Sequence, residues 1–314
     1  MGEAHQLLAS DPSNPPSKTR RSRARRAFLS VLAFTATLAA LPAAAEPLVL
    51  RDDRGQEHRF SEPPRRIVSL RPSLTESVWA LGGGARLVGV DRYSDWPAEL
   101  AKLPRLGGME DAQIEAIAAL RPDVVLAAPS ARSLDRLEAL GLRVVRLHSE
   151  THADVRRNLE VVARLLGTPA EVQRVWARIE QDLEIAARRV PASMRGQRVY
   201  FEIGGGPYAA GASSFIGQTL VRLGMSNIVP STMGPFPKLN PEFVVRAQPD
   251  LIMGPKREQA GMADRPGWGA LAAIRNDRRC GFETAQYDML VRPGPRLGEA
   301  ANVLADCLAR LGRS

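Results

Sequence analysis

One segment of the chain occurs twice. Ile114-Glu115-Ala116-Ile117-Ala118-Ala119-Leu120-Arg121-Pro122-Asp123-Val124-Val125 aligns without gaps on Pro241-Glu242-Phe243-Val244-Val245-Arg246-Ala247-Gln248-Pro249-Asp250-Leu251-Ile252. Glu115 and Glu242, Pro122 and Pro249, and Asp123 and Asp250 each lie 127 positions apart. Each copy reads as a helix, a Pro-Asp break and an apolar strand, which is half of a parallel βαβ unit. A Leu-Gly turn before a short strand also recurs, at Leu81-Gly82 and Leu223-Gly224. Two copies are fewer than the three or more a solenoid needs. The repeat therefore predicts two similar α/β lobes.

The intervening pattern agrees. Arg65 to Leu70 reads as a strand, and Ser73-Leu74-Thr75-Glu76 has capping-box spacing for a helix running to Leu81, stopped by Gly82-Gly83-Gly84. Strands are expected at Leu87 to Val90, Val124 to Ala127 and Val144 to Leu147, with helices at Asp111 to Leu120 and Ser133 to Leu140. From His152 to Val190 the pattern is helical, broken at Gly167-Thr168-Pro169, where Thr168 can cap a second helix with Pro169 at its first position. That second piece, Ala170 to Arg189, would be about 30 Å long at 1.5 Å per residue, the length of a spacer between lobes. Pro191 to Gly196 breaks it, and Arg198 to Ile203 resumes the strands. The expected divisions are 46–168 for the first lobe, 169–191 for the helix joining the lobes and 192–314 for the second lobe.

Charge bears on the choice of partner. The 314 residues carry 43 Lys+Arg against 34 Asp+Glu, a formal +9 that would ordinarily suggest nucleic acid. Six of those cations, Lys18, Arg20, Arg21, Arg23, Arg25 and Arg26, lie in the first 45 residues with only Glu3 and Asp11 against them. The remainder holds 37 against 32, a mild +5, so no nucleic-acid partner is expected. The basic run precedes an apolar segment ending in Ala43-Ala44-Ala45, the pattern of a secretory signal cleaved after Ala45. Ala24-Arg25-Arg26-Ala27-Phe28-Leu29 resembles a twin-arginine signal, so export through the Sec or the twin-arginine route to the periplasm is expected. A membrane anchor fits less well, because the run falls short of the roughly 20 apolar residues a span requires. No Cys follows the segment to carry a lipid. In an oxidising compartment the two cysteines, Cys280 and Cys307, allow one disulfide, and there is no Cys-x-x-Cys zinc or iron–sulfur signature.

Several motifs together carry a family likeness. Arg66-Ile67-Val68-Ser69-Leu70-Arg71-Pro72-Ser73-Leu74-Thr75-Glu76, Tyr93-Ser94-Asp95-Trp96-Pro97, the doubled Glu…Pro-Asp units and Arg292-Pro293-Gly294-Pro295-Arg296 resemble the periplasmic binding proteins for vitamin B12 and ferric siderophores, most closely the cobalamin branch. The likeness spans residues 48 to 312. It implies two Rossmann-like lobes with parallel sheets, joined by one backbone helix with little hinge motion, the class III arrangement, and a ligand held at the loops after the strands. It further implies a monomer with no intrinsic cofactor that carries cobalamin or another metal chelate to an ABC permease dimer and its ATPase subunits. A ferric siderophore or haem receptor on the same scaffold is the alternative. Two tryptophans that the cobalamin branch places in its cleft are replaced here by Met109 and an Ala near 128.

Candidate site residues follow. Tyr93, Trp96, Tyr208 and Phe236 sit in Pro-bounded loops, where aromatic faces can support a macrocycle or chelate, and core packing is the competing role. Asp288 and Arg292 flank a Pro/Gly loop, and Arg292 suits a carboxylate, phosphate or amide unless it only pairs at the surface. The Ser73 helix start and Gly204-Gly205-Gly206 offer backbone N–H groups, although the triple Gly reads better as a turn than as a dinucleotide fingerprint. Glu115 and Glu242 are solvated first-turn acids by helix-dipole logic. By the resemblance they are the two carboxylates that dock on Arg clusters of the permease. His148 and His152 are four apart, but His148 ends a strand, so a metal pair is not expected. Leu106-Gly107-Gly108-Met109 offers no Tyr for axial haem ligation. A secreted α/β hydrolase would need Ser69, Ser73, Ser213 or Ser214 beside a His and an Asp, and no Gly-x-Ser-x-Gly elbow occurs.

Overall fold

A computed structural model describes residues 47–313; the expected signal lies outside them. In chain order the elements are β1 (Leu48–Arg51), β2 (Glu57–Phe60), β3 (Ile67–Ser69), α1 (Pro72–Ala80), β4 (Leu87–Val90), α2 (Ile114–Ala119), β5 (Val124–Ala127), α3 (Asp135–Ala139), β6 (Val144–Arg146), α4 (His152–Leu166) and α5 (Glu171–Arg189). They continue as β7 (Arg198–Ile203), β8 (Tyr208–Ala209), α6 (Phe215–Arg222), β9 (Ser226–Asn227), α7 (Pro241–Ala247), β10 (Leu251–Pro255), α8 (Lys256–Gln259), α9 (Ala272–Arg275), β11 (Arg279–Phe282), α10 (Thr284–Leu290) and α11 (Leu297–Leu311).

The first lobe is a parallel sheet in the order β4-β3-β5-β6, with Ile67 opposite Val124 and Val125 opposite Val144. Every residue of β3, β5 and β6 is buried, as expected where helices cover both faces of a parallel sheet. The second lobe orders β11-β10-β7-β8, with β9 also on β7. Its β7, β9, β10 and β11 pair in parallel and β8 runs antiparallel. The 19 residues of α5 span about 28 Å. Val175, Ile179, Leu183 and Ala186 form its buried stripe, and α5 packs along α11. The approach is close at Gly298 of α11, where an added Cβ would lie 2.5 Å from the Asp182 Cβ. Cys280 of β11 and Cys307 of α11 form a disulfide across 27 residues, which by loop-closure entropy contributes about 3–4 kcal/mol. No helix among the described residues is long and apolar enough to cross a membrane.

The repeat has a physical meaning. Each copy's helix ends on a residue in left-handed backbone, Arg121 at φ 44° and Gln248 at φ 47°. The following aspartate then pins the start of a neighbouring strand. Asp123 accepts from the Arg65 and Arg66 N–H groups at 2.7 and 2.8 Å, and Asp250 from the Arg198 N–H at 2.8 Å. The arginines reach back to the helix ends, Arg66 to the Leu120 carbonyl at 2.7 Å and Arg198 to the Ala247 carbonyl at 3.0 Å.

Three sequence expectations are corrected. Pro72 opens α1 with Arg71 as its uncapped N-cap, so Ser73 and Glu76 are buried inside the helix and form no capping box. Thr168 does not cap α5. Its hydroxyl donates to the Leu81 carbonyl at 3.3 Å, and α5 begins at Glu171. The helix expected from Asp111 starts only at Ile114, because the Asp111 carboxylate holds the Gly108 N–H at 2.8 Å.

Candidate functional site

The loops that leave β3, β4, β5 and β6 converge on one cavity of about 390 Å³. Arg71, Asp91, Tyr93, Met109, Ala128 and His148 are among its walls. The position agrees with the rule that ligands lie beyond the carboxyl ends of parallel strands. A second cavity of about 260 Å³ shares Arg71, Pro72 and Tyr93 with the first. Its far side comes from the second lobe, through Asp288, Val291, Arg292 and Pro293. It therefore lies between the lobes. A further cavity of about 380 Å³ is found at the opposite end of the first sheet, around Pro63, Pro64 and Asp123 before the strands begin. It faces away from the cleft.

Beside the interlobe cavity, charged groups clasp the lobes together. Arg292, only 11% exposed, donates to Asp95 at 2.6 Å and to the Tyr93 carbonyl at 3.0 Å. It also reaches Glu76 at 3.4 Å and Asp288 at 3.8 Å. Arg296 lies 3.9 Å from Glu76 and 4.6 Å above the centre of the Trp96 ring. Glu76 is 1% exposed, and its Oε2 has no hydrogen-bond partner. Burial raises its pKa to about 7 against the opposing fields of Arg292 and Arg296. Burial acts on Asp95 in the same sense, but the hydrogen bond and charge of Arg292 outweigh it and hold that carboxyl below its usual value.

Between the ordinary carboxylate range and about pH 7 the folded chain binds more protons at Glu76 than the unfolded chain does. Stability from this group therefore falls as pH rises through that window and is level above it. Asp95 acts oppositely and only in acid, its contribution fading as pH falls below about 4. Urea unfolding should show the parent losing about 2 kcal/mol more than Glu76→Gln does between pH 5 and pH 7.5. The same pH dependence in the parent and in Glu76→Gln would refute this account of the buried carboxyl.

Tyr93, 60% exposed, and Asp288 and Arg292 meet at the interlobe cavity. Trp96 lies under Arg296. Phe236 packs on Phe215, with ring centres 5.9 Å apart. Tyr208 is exposed on β8. None of these last three lines either cleft cavity. Glu115 and Glu242 are exposed in the first turns of α2 and α7. Glu115 is 3.4 Å from Arg136, and the Asn240 side chain caps Glu242 N–H at 3.0 Å. The Gly204 to Gly206 turn, with Gly204 at φ 65° and Gly206 at φ 72°, joins β7 to β8. His152 bonds the Phe215 carbonyl at 3.0 Å and Thr219 at 2.9 Å, and burial lowers its pKa. His148 stands at the cavity rim. Among the described residues no group of three His, Cys, Asp or Glu side chains could hold a metal ion.

Sequence reasoning missed a smaller cavity of about 240 Å³ in the second lobe, where Glu202, fully buried, is held by Arg265 at 2.5 and 3.0 Å. It also missed Arg71 as a lining residue and Glu76 as the centre of the clasp. An arginine directly before a Pro-initiated helix, in the loop after a strand, was the available signal for Arg71.

A family model described as periplasmic binding protein matches residues 67–282. An ABC transporter substrate-binding lipoprotein of Bacillus subtilis, itself uncharacterized, is 26% identical over 273 residues, covering 83% of this chain and 85% of its own. The crystal structure of a periplasmic vitamin B12-binding protein of Vibrio cholerae is 27% identical with a TM-score of 0.65, over 80% of this chain and 99% of that one. A periplasmic haem-binding protein of Pseudomonas aeruginosa is also 27% identical, with a TM-score of 0.68 over 79% and 93%.

Proposed function

The chain belongs to the periplasmic binding protein family, and from that premise we propose that it is the ligand-capturing component of an ABC importer for cobalamin or a related corrinoid. Its relatives include a substrate-binding lipoprotein of an ABC transporter and binding proteins for vitamin B12 and haem. The observation that carries the reading is the pair of adjoining cavities at the carboxyl ends of the first sheet, the smaller of which is walled on its far side by the second lobe. Ligand seats there in the periplasm. The loaded monomer docks on a permease dimer through Glu115 and Glu242, while ATP is hydrolysed on the ATPase subunits. The chain catalyses no reaction itself. Ser214 is committed to capping α6, Ser69 accepts from Thr75 at 2.8 Å, His152 is occupied by Phe215 and Thr219, and the hydroxyls of Ser73 and Ser213 are bonded to no His.

The alternative, a haem or ferric siderophore receptor, is favoured by one observation. Met109 and Ala128 line the larger cavity where the cobalamin likeness implied tryptophans. Calorimetric titration with cyanocobalamin, cobinamide, haem and a panel of ferric siderophores decides between them. Tight binding of a corrinoid supports the first reading. Binding of haem or a siderophore alone supports the second, and binding of none of them removes both.

A further inference from the structure

The geometry points to a subsite for an anionic arm of the ligand, built from Arg71 and Ser73 at the start of α1. The inference rests on the cleft being the ligand site and names what that ligand must carry there: a carboxylate or a phosphate ester.

Arg71 bears five N–H donors, yet its side chain makes one hydrogen bond, a long one of 3.4 Å to the Leu147 carbonyl. It has no ion pair among the described residues. It is also the guanidinium that both cleft cavities share. Burial lowers its pKa against the fields of Glu150 and Asp154, a sign of a cation taken from water without a close counter-charge. Beside it, the Ser73 hydroxyl is 2% exposed, lines the interlobe cavity and has no hydrogen-bond partner. Buried polar groups are nearly always satisfied, so an orphaned hydroxyl in a cavity wall implies a partner that the chain itself does not supply. Both residues stand where the nine-residue α1 begins, and no side chain caps that end. The helix dipole favours negative charge at such an end, although Pro72 supplies no N–H and those of Leu74 and Thr75 bond the Arg71 carbonyl.

The other cleft guanidinium differs. Arg292 is saturated by Asp95, Glu76 and the Tyr93 carbonyl, so it holds the lobes together and has little left to offer a ligand. Glu150 and Asp288 also line the cavities. Asp288 repels an anion from the far wall of the interlobe cavity, whereas the field of Glu150 acts on Arg71 itself and is the negative charge that a ligand's anion competes with. Across the larger cavity the Asp91 Oδ1 is buried and unpartnered, which suits a donor on the remainder of the ligand.

Two ligand pairs test the subsite: cobalamin against cobinamide, which lacks the nucleotide phosphodiester, and haem against its dimethyl ester. Purified parent, Arg71→Gln, Arg71→Lys and Ser73→Ala are titrated with each. Ser73→Ala removes a hydroxyl with no partner in the fold, so it keeps the test informative if Arg71→Gln unfolds. The expected result is at least tenfold tighter binding of the member that carries the phosphodiester or the free carboxylates. That preference should collapse in Arg71→Gln, weaken in Ser73→Ala and be partly kept in Arg71→Lys. Equal binding of both members, or a preference that survives Arg71→Gln and Ser73→Ala, overturns the subsite. If no member of either pair binds, the corrinoid and haem readings fall, and citrate decides the subsite. A melting temperature raised by citrate in the parent but not in Arg71→Gln or Ser73→Ala upholds it, and an equal response overturns it.

Discussion

Uptake of ligand should fall by about a hundredfold or more in cells whose only copy of this protein carries Glu115→Ala and Glu242→Ala together, while the affinity of the purified double variant for ligand stays within twofold of the parent. The two carboxylates occupy equivalent turns of α2 and α7 in the two lobes, are exposed, and are tied to little within the chain. The 3.4 Å contact of Glu115 with Arg136 joins side chains 82% and 73% exposed, and pairs of that kind contribute under about 1 kcal/mol. Such acids are available to arginines on a partner, where a charge-assisted hydrogen bond is worth about 1.5–3 kcal/mol. Losing one from each lobe removes both ends of the contact, and each single variant should lose about tenfold. Lost affinity in the purified variant would move these residues into the cleft. Normal uptake would remove them from docking.

The largest stability effect is expected at Arg292. Replacing it by Ala leaves Glu76 buried with only Arg296, 3.9 Å away, as counter-charge. Breaking a buried pair from one side costs about 3–5 kcal/mol. Asp95 and the Tyr93 carbonyl also lose their donor, so the cost should be about 3 kcal/mol or more by urea unfolding at pH 8. At pH 5 Glu76 can take up a proton, and the cost should shrink. The double variant Arg292→Ala, Glu76→Gln should recover part of the loss at pH 8 for the same reason. A loss under about 1 kcal/mol, or the same loss at both pH values, contradicts the role assigned to the clasp.

Much of the architecture was legible in the sequence because backbone rules dictate it. The strands at Leu87, Val124, Val144 and Arg198 are short apolar runs bounded by Gly or Pro, and they lie where the pattern put them. The repeat was legible too, but not its cause. That Asp123 and Asp250 hold the starts of β3 and β7 depends on contacts 58 and 52 residues apart in the chain, which no local window contains. The same limit explains Glu76. Its spacing from Ser73 fits a capping box, and only the approach of residues 292 to 296 from the other lobe makes it a buried anchor. Of the aromatic candidates, Pro-bounded loops located Tyr93 at the cavity. Trp96 and Phe236 occur in equally loop-like sequence but line neither cleft cavity, being half-buried against Arg296 and Phe215. Loop position says that a ring can reach a cleft, and tertiary packing decides whether it does.

The clasp around Arg292 is made wholly of the chain's own groups and ties the two lobes to each other, so a ligand that enters without breaking it meets a fixed cavity. Capture then resembles adsorption to a fixed surface more than the shutting of a jaw. In stopped-flow mixing, the observed rate should climb in proportion to ligand concentration without reaching a plateau, because no slow isomerisation follows the encounter. Residence time would be set by the contacts inside the cavity, and a permease that grips both lobes would shorten it by straining the clasp.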